Sequence, residues 1–309
     1  MMVAGEWSPR RAADYLDARQ EAWNAWPRAS RGGSGPCLAC HGGLHYALAR
    51  PALRRALKEG APAQYETAIL DGVRRRLAQP QGAEAVLAAL VLARRGVMDA
   101  DTERAFERLW KLQTPQGAWS WPAPGEDPWE QPESVYYGAA LAGLAVGEAP
   151  SDYQARPTIR GNIQALQAYL ARERQAQPLH NRLVLLWASA RLRGTLSPAE
   201  KSALVDEALR KQEADGGWTV ASLGPWRTHA AAPPSSGSSA YATALVAFVL
   251  QRAGARMRPA LDWLRSHQDA AGYWEAVSMN KRHPEDSFER HFMREAATAL
   301  AALALLEAR

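Results

Sequence analysis

An all-α fold, an (α/α)6 toroid (barrel) of six outer/inner helix pairs forming a single domain over residues 1–309, is predicted from three observations. A short string, Q-x3-G-x-W, occurs at 113–119 (QTPQGAW), 212–218 (QEADGGW) and 268–274 (QDAAGYW). Each copy follows a stretch whose polar residues recur at helical spacing, as on a helix with one wet face. These stretches alternate with others rich in Ala, Leu and Val, apolar nearly all round, as suits helices buried on most sides. Repeated copies at fixed offsets are the mark of stacked supersecondary units.

The elements follow in chain order. The first outer helix is read at 9–23 and its inner partner at 45–57; the second pair lies at 63–78 and 82–95. The third outer helix opens at MDADTE, where Asp99 serves as an N-cap, and its inner partner contains YYGAALAGLAV (136–146). The fourth pair, 158–173 and 181–193, has the helical pattern without the motif. The fifth and sixth outer helices run into the second and third motifs, and their inner partners contain YATALVAFVL (241–250) and ATALAALALL (297–306). Within each motif, Gln113, Gln212 or Gln268 and Trp119, Trp218 or Trp274 are expected to pin the end of the outer helix to the following turn. Gly117, Gly216 or Gly272 supplies a backbone conformation that other residues resist.

The net charge of +5 comes almost entirely from Arg, densest in RPALRR (50–55) and VRRRLAQ (73–79). Arg is scattered over every predicted helix and mixed with Asp and Glu. That pattern reads as a solvated outer surface and not as a nucleic-acid footprint. No run of about 18 apolar residues occurs, so no transmembrane helix is expected, and the N-terminus lacks the apolar core of a signal peptide.

One string carries chemistry: CLACHGGLH (37–45), which holds the only two cysteines of the chain. It precedes the first inner helix. Its C-x-x-C-H spacing is that of a c-type haem attachment, with Cys37 and Cys40 forming thioethers and His41 as proximal iron ligand. His45 lies one helical turn beyond His41 on the same face, so it does not reach the far side of an iron. His180, His291 and Met293, at the starts of inner helices, are the distal candidates, with Met279 and His283 in a loop. Three other readings stay open: a zinc site of Cys37, Cys40, His41 and His45, a dithiol or disulfide, and chance. The long loops 120–134, 219–239 and 275–290 offer further groups, among them Trp129, Trp226, Arg227, His229, Met279, Lys281 and His283. Loops of that length on a rigid scaffold either carry function or simply cap it.

The Q-x3-G-x-W repeats resemble the QW motifs of squalene–hopene cyclases and related triterpene cyclases, and the six-pair toroid is similar to the β subunit of protein prenyltransferases. The resemblance covers nearly the whole chain but only one toroid, where triterpene cyclases carry two. It implies an apolar cavity and, in the cyclases, a D-x-D-D acid motif. Here MDADTE is a cap, and the inner-helix starts PESVYY, SGSSAY and FMREAA do not match it. The Asp/Cys/His zinc site of the prenyltransferases is not reproduced, and DDxxD and GxxxxGK[ST] are absent from the chain. A CxxCH ahead of the first inner helix also resembles the arrangement in some squalene-cyclase-like bacterial proteins. The expectation is a haem c protein acting in redox or electron transfer at the mouth of the central cavity. Its partner would be a redox protein or an apolar small molecule, not nucleic acid, and its location periplasmic if haem is attached, otherwise cytoplasmic. The alternatives are an isoprenoid-binding or cyclase-like enzyme without haem, and a scaffold that binds a protein at its rim.

Overall fold

Residues 7–30, 35–78, 81–122, 128–226, 237–279 and 281–308 are described by the computed structural model. Thirteen α-helices and no strand occur among them: α1 (Pro9–Ala25), α2 (Gly43–Ala56), α3 (Gln64–Arg76), α4 (Gly82–Ala93), α5 (Ala100–Lys111), α6 (Ser134–Glu148), α7 (Ser151–Gln154), α8 (Arg160–Glu173), α9 (Leu179–Ser189), α10 (Pro198–Leu209), α11 (Ala240–Arg252), α12 (Arg258–Ser266) and α13 (Phe292–Leu306). The described residues are therefore all-α, and the twelve expected helices match, in chain order, α1–α6 and α8–α13. The single turn of α7 is an addition. Among the described residues no helix is long and apolar enough to cross a membrane.

Local chemistry explains these elements. Ser8 caps α1 by accepting from the Arg11 amide, with Pro9 at the first helical position, where its missing N–H costs nothing. Asp99 caps α5 in the same way through the Thr102 amide, at 3.0 Å. α5 buries Thr102, Ala105, Phe106 and Leu109, the one-face spacing of an outer helix. In α4 every residue except Glu84 is buried, as expected of an inner helix. Each fully buried Val or Leu on such a helix contributes roughly 1.5–3 kcal/mol.

The contacts divide the chain into two compact units. The first comprises Met1–Ser30, Ala39–Ile69 and Val205–Arg309. In it α11 packs on α13 and α13 on α2, so the last inner helix lies against the first; α12 covers α11 and α13, and α1 covers α2 and α13. The second comprises Arg31–Leu38 and Leu70–Leu204. There α4 packs on α6 and α6 on α9, with α5 against α4 and α8 against α6.

The three motifs share one geometry. The buried indoles of Trp119, Trp218 and Trp274 donate to the carbonyls of Leu109, Ala208 and Leu264 at 2.7, 2.8 and 2.8 Å, satisfying last-turn acceptors of α5, α10 and α12. The amides of Gln113, Gln212 and Gln268 donate back to the carbonyls of Gly117, Gly216 and Gly272. Those glycines have φ of +95°, +92° and +97°. Each also touches the next outer helix: a Cβ would stand 2.6 Å from the Ala165 carbonyl carbon, 2.8 Å from the Pro259 oxygen and 2.5 Å from the Arg11 carbonyl carbon. Gln113 reaches α8 through Asn162, donating to its carbonyl at 3.0 Å. Gln268 clasps the cap of α1, accepting from the Ser8 amide at 2.6 Å and donating to its carbonyl at 3.1 Å.

Two members of the Arg clusters depart from the expected solvated surface. Arg50 is 3% exposed and pairs with Asp17 at 2.9 Å and Glu59 at 2.7 Å. Arg76 is likewise buried, against Glu84 at 2.5 Å. A buried guanidinium is tolerable when carboxylates saturate it, and spacing within a cluster does not reveal which member finds them.

Candidate functional site

In the first unit, Cys40 and His41 lie in the turn that leads into α2, and both are buried. Gly42 and Gly43 follow. Gly42 has no room for a side chain, because a Cβ there would stand 2.6 Å from Oε2 of Glu295. The turn therefore rests directly on a carboxyl of α13.

The imidazole of His41 is enclosed by rings. Phe292 stacks on its face at a centroid distance of 3.5 Å and 21°, and Trp23 of α1 meets it edge-on at 5.4 Å and 77°. Trp26 and Phe288 form a parallel stack at 4.7 Å, and Phe288 also meets Trp23 at 5.7 Å. Guanidinium groups cover the outer rings: Arg19 lies 4.3 Å from the Phe288 centroid and Arg28 5.0 Å from that of Trp26. The result is an apolar, π-rich wall around an imidazole, edged with two guanidinium groups that pair with Glu295 and Glu289.

Glu295 is the group the sequence reading passed over. It is buried and bonded to Arg19 Nε at 2.6 Å, yet desolvation outweighs that partner and raises its carboxyl to about 7. The signal for it was a lone acid in the apolar run of α13, FMREAATALAALALL. No comparable signal marks Trp23 or Phe292 as neighbours of His41, because they come from separate elements.

The distal candidates separate. His291 and Met293 flank Phe292, and it is the ring between them that meets His41; neighbouring helical positions point about 100° apart, so the flanking side chains diverge to either side. The Nδ1 of His291 lies 3.2 Å from Arg294 Nη1, and burial with nearby Arg19 lowers its pKa to about 4. Met293 is buried. His180 belongs to the second unit, fully buried at the start of α9. Asn181 donates its amide to the Glu133 carbonyl and Gln177 Oε1, so its oxygen accepts from His180 Nδ1 at 2.9 Å. Desolvation lowers His180 to about 4, which leaves a neutral imidazole.

Cys37 belongs to the second unit and is partly exposed. Arg76, held by Glu84, donates to the Gly35 carbonyl at 3.1 Å and stands within electrostatic range of Cys37. Among the described residues no three His, Cys, Asp or Glu side chains gather as a metal-ligand set, so the four donors of the zinc reading are not assembled. The loop candidates are mostly folded into their own segments. Trp129 is buried and its carbonyl accepts from the Trp121 indole at 2.7 Å, Trp226 donates to the Val220 carbonyl at 2.7 Å, and Met279 is buried. Lys281 is exposed and His283 partly so; Arg227 and His229 lie outside the described residues.

Compared with known proteins, the chain matches no family model and no curated protein. Fold and site together define an all-α protein in which a buried, aromatic-walled histidine stands at the entry to α2.

Proposed function

We propose that the six pairs close into an (α/α)6 toroid of the triterpene-cyclase type, forming a single domain, and that the chain carries one c-type haem at Cys37, Cys40 and His41 for redox or electron transfer at the cavity mouth. The observation that carries the reading is the environment of His41: an imidazole that directly follows the only two cysteines of the chain and is walled by Trp23 and Phe292.

The residues suit the group. Two thiols and an imidazole in C-x-x-C-H order are the donors a covalent haem needs. Each thiol adds across a vinyl group, its sulfur bonding to carbon and its hydrogen passing to the neighbouring carbon, with no oxidant required. The aromatic wall of Trp23 and Phe292 suits a flat apolar macrocycle. Once bound, the haem supplies a one-electron redox centre; the protein supplies the ligand, its orientation and the exclusion of water. His180, His291 and Met293 are the candidates for the distal side. The partner is a redox protein or an apolar molecule in the cavity, and the location follows the attachment chemistry to the periplasm. Ring closure is supported by α13 lying on α2 and by Gln268 clasping Ser8.

The test is an absorption spectrum of the full chain, exported behind a cleavable leader in cells with c-type maturation. The expected result is a Soret band that resists acid–acetone extraction and disappears in Cys37→Ala/Cys40→Ala protein. Haem-free wild-type protein overturns the reading. A small-angle scattering profile of two separated lobes would count against the ring.

Glu295 favours a second reading, a cyclase-like enzyme on isoprenoid substrates without haem. A carboxyl raised to about 7, three residues along α13 from Phe292, offers a proton donor at neutral pH, and the π faces around His41 are of the kind that stabilise cations. Turnover of squalene or a prenyl diphosphate by haem-free protein, lost in Glu295→Gln, supports it; inertness with both substrates counts against it.

A further inference from the structure

We propose that Phe292 is the positioning residue of the His41 ligand: its ring fixes the plane of the imidazole and thereby the electronic state of an iron bound to it. The proposal rests on the haem reading above. The contact is direct, a near-parallel stack at 3.5 Å, and Trp23 braces the same imidazole at 77°. Together they oppose rotation about the Cβ–Cγ bond of His41. Turning the imidazole through a right angle would drive its edge into the Phe292 ring.

The clamp is itself immobilised. Phe292 is 5% exposed and begins α13, which packs on α2. Trp23 is held in turn by Phe288 at 5.7 Å and Phe292 at 6.2 Å. Three elements thus converge on one ring: α1 through Trp23, the start of α13 through Phe292, and the turn into α2 that carries His41. Such packing locks a side chain into one rotamer and is what a precise ligand geometry requires.

The plane of an axial imidazole determines how the d orbitals of a low-spin ferric iron divide. That division sets the spread of the four haem methyl resonances in a proton NMR spectrum. The position between the two expected distal candidates therefore acquires a role on the proximal side. A residue that only filled core volume would change stability without moving that spread.

The experiment uses full-length ferric holoprotein with cyanide added, which makes the iron low-spin whatever its native distal ligand. In the wild type, one set of four widely spread methyl lines is expected. In Phe292→Leu, with haem still covalently attached, the spread narrows or a second set appears; Phe292→Tyr, which keeps the ring, restores the wild-type pattern. Phe106→Leu, an equally buried Phe of α5 in the other unit, destabilises the core but leaves the lines in place. If Phe292→Leu does not accumulate, Phe292→Met keeps the side-chain volume and gives the same readout. An unchanged spread in haem-loaded Phe292→Leu or Phe292→Met overturns the proposal alone. Wild-type protein without covalent haem overturns the haem reading and this proposal with it.

Discussion

Replacing Gly272 by Ala separates two roles that a motif glycine combines. At φ +97° an L-residue is strained, and that strain costs about 1–2 kcal/mol. The added methyl also stands 2.5 Å from the Arg11 carbonyl carbon, so α1 must move away; overpacking of this kind costs typically ~1–3 kcal/mol. Gly254, in the same unit, has φ +93° but nothing within 4 Å of a Cβ. Gly254→Ala therefore carries the strain alone. The expected losses are about 1–2 kcal/mol for Gly254→Ala and about 2–5 kcal/mol for Gly272→Ala. Urea titration followed by helical circular dichroism gives the two values. Hydrogen exchange on peptides from α1 then shows where the additional loss falls. Losses equal to within about 0.5 kcal/mol, the range of ordinary surface substitutions, would refute the close-approach argument, as would unchanged exchange at the start of α1.

Trp274→Phe removes the indole bond to the Leu264 carbonyl, which keeps the His267 amide as donor, and is expected to cost about 0.5–1.5 kcal/mol in the same titration; no measurable loss contradicts it. The Glu295 carboxyl is raised from 4.5 to about 7, so between those values the folded chain holds a proton that the unfolded chain has released. Its stabilising contribution is full below pH 4.5 and falls by about 3 kcal/mol as pH rises through 7. The stability of wild type minus that of Glu295→Gln, measured across this window, should fall with rising pH, and a flat difference would refute the assignment. Gly42→Ala is expected to displace Glu295 and weaken its bond to Arg19. In a double-mutant cycle with Glu295→Ala the two losses should be less than additive by about 0.5–3 kcal/mol, and strict additivity would show that the methyl is accommodated elsewhere.

Much of the fold was legible because helices and motif turns are local. The helices follow from apolar periodicity, and Gln, Gly and Trp recur because each turn meets the same kind of neighbours: the helix it ends and another helix it touches. The Asp99 cap was readable for the same reason, its partner being three residues away. The surroundings of His41 were not legible, since Trp23 and Phe292 reach it from opposite ends of the chain. His291 and Met293 carry side chains that can ligate, whereas the position facing His41 holds a residue that cannot. Arg50 and Arg76 were misread for a related reason. Their carboxylate partners, Asp17, Glu59 and Glu84, lie on other elements, so composition alone does not distinguish a buried pair from a wet one. Glu295 did leave a trace, the single acid of α13, beside Arg294 at the head of a long apolar run, and a charge at such a position is informative on its own.

The clasp between Gln268 and Ser8 joins residues 260 positions apart, which has a consequence for the timing of synthesis. A ribosome adds roughly 5–20 residues per second, so the cap of α1 waits on the order of 10–50 seconds for its partner. Phe292 is made later still. Throughout that interval the turn bearing Cys40 and His41 exists without the helix that later covers it, and its side chains meet whatever the nascent chain meets. A modifying enzyme thus finds an open string early and a walled one late, and the interval closes when the last helix of the chain is complete.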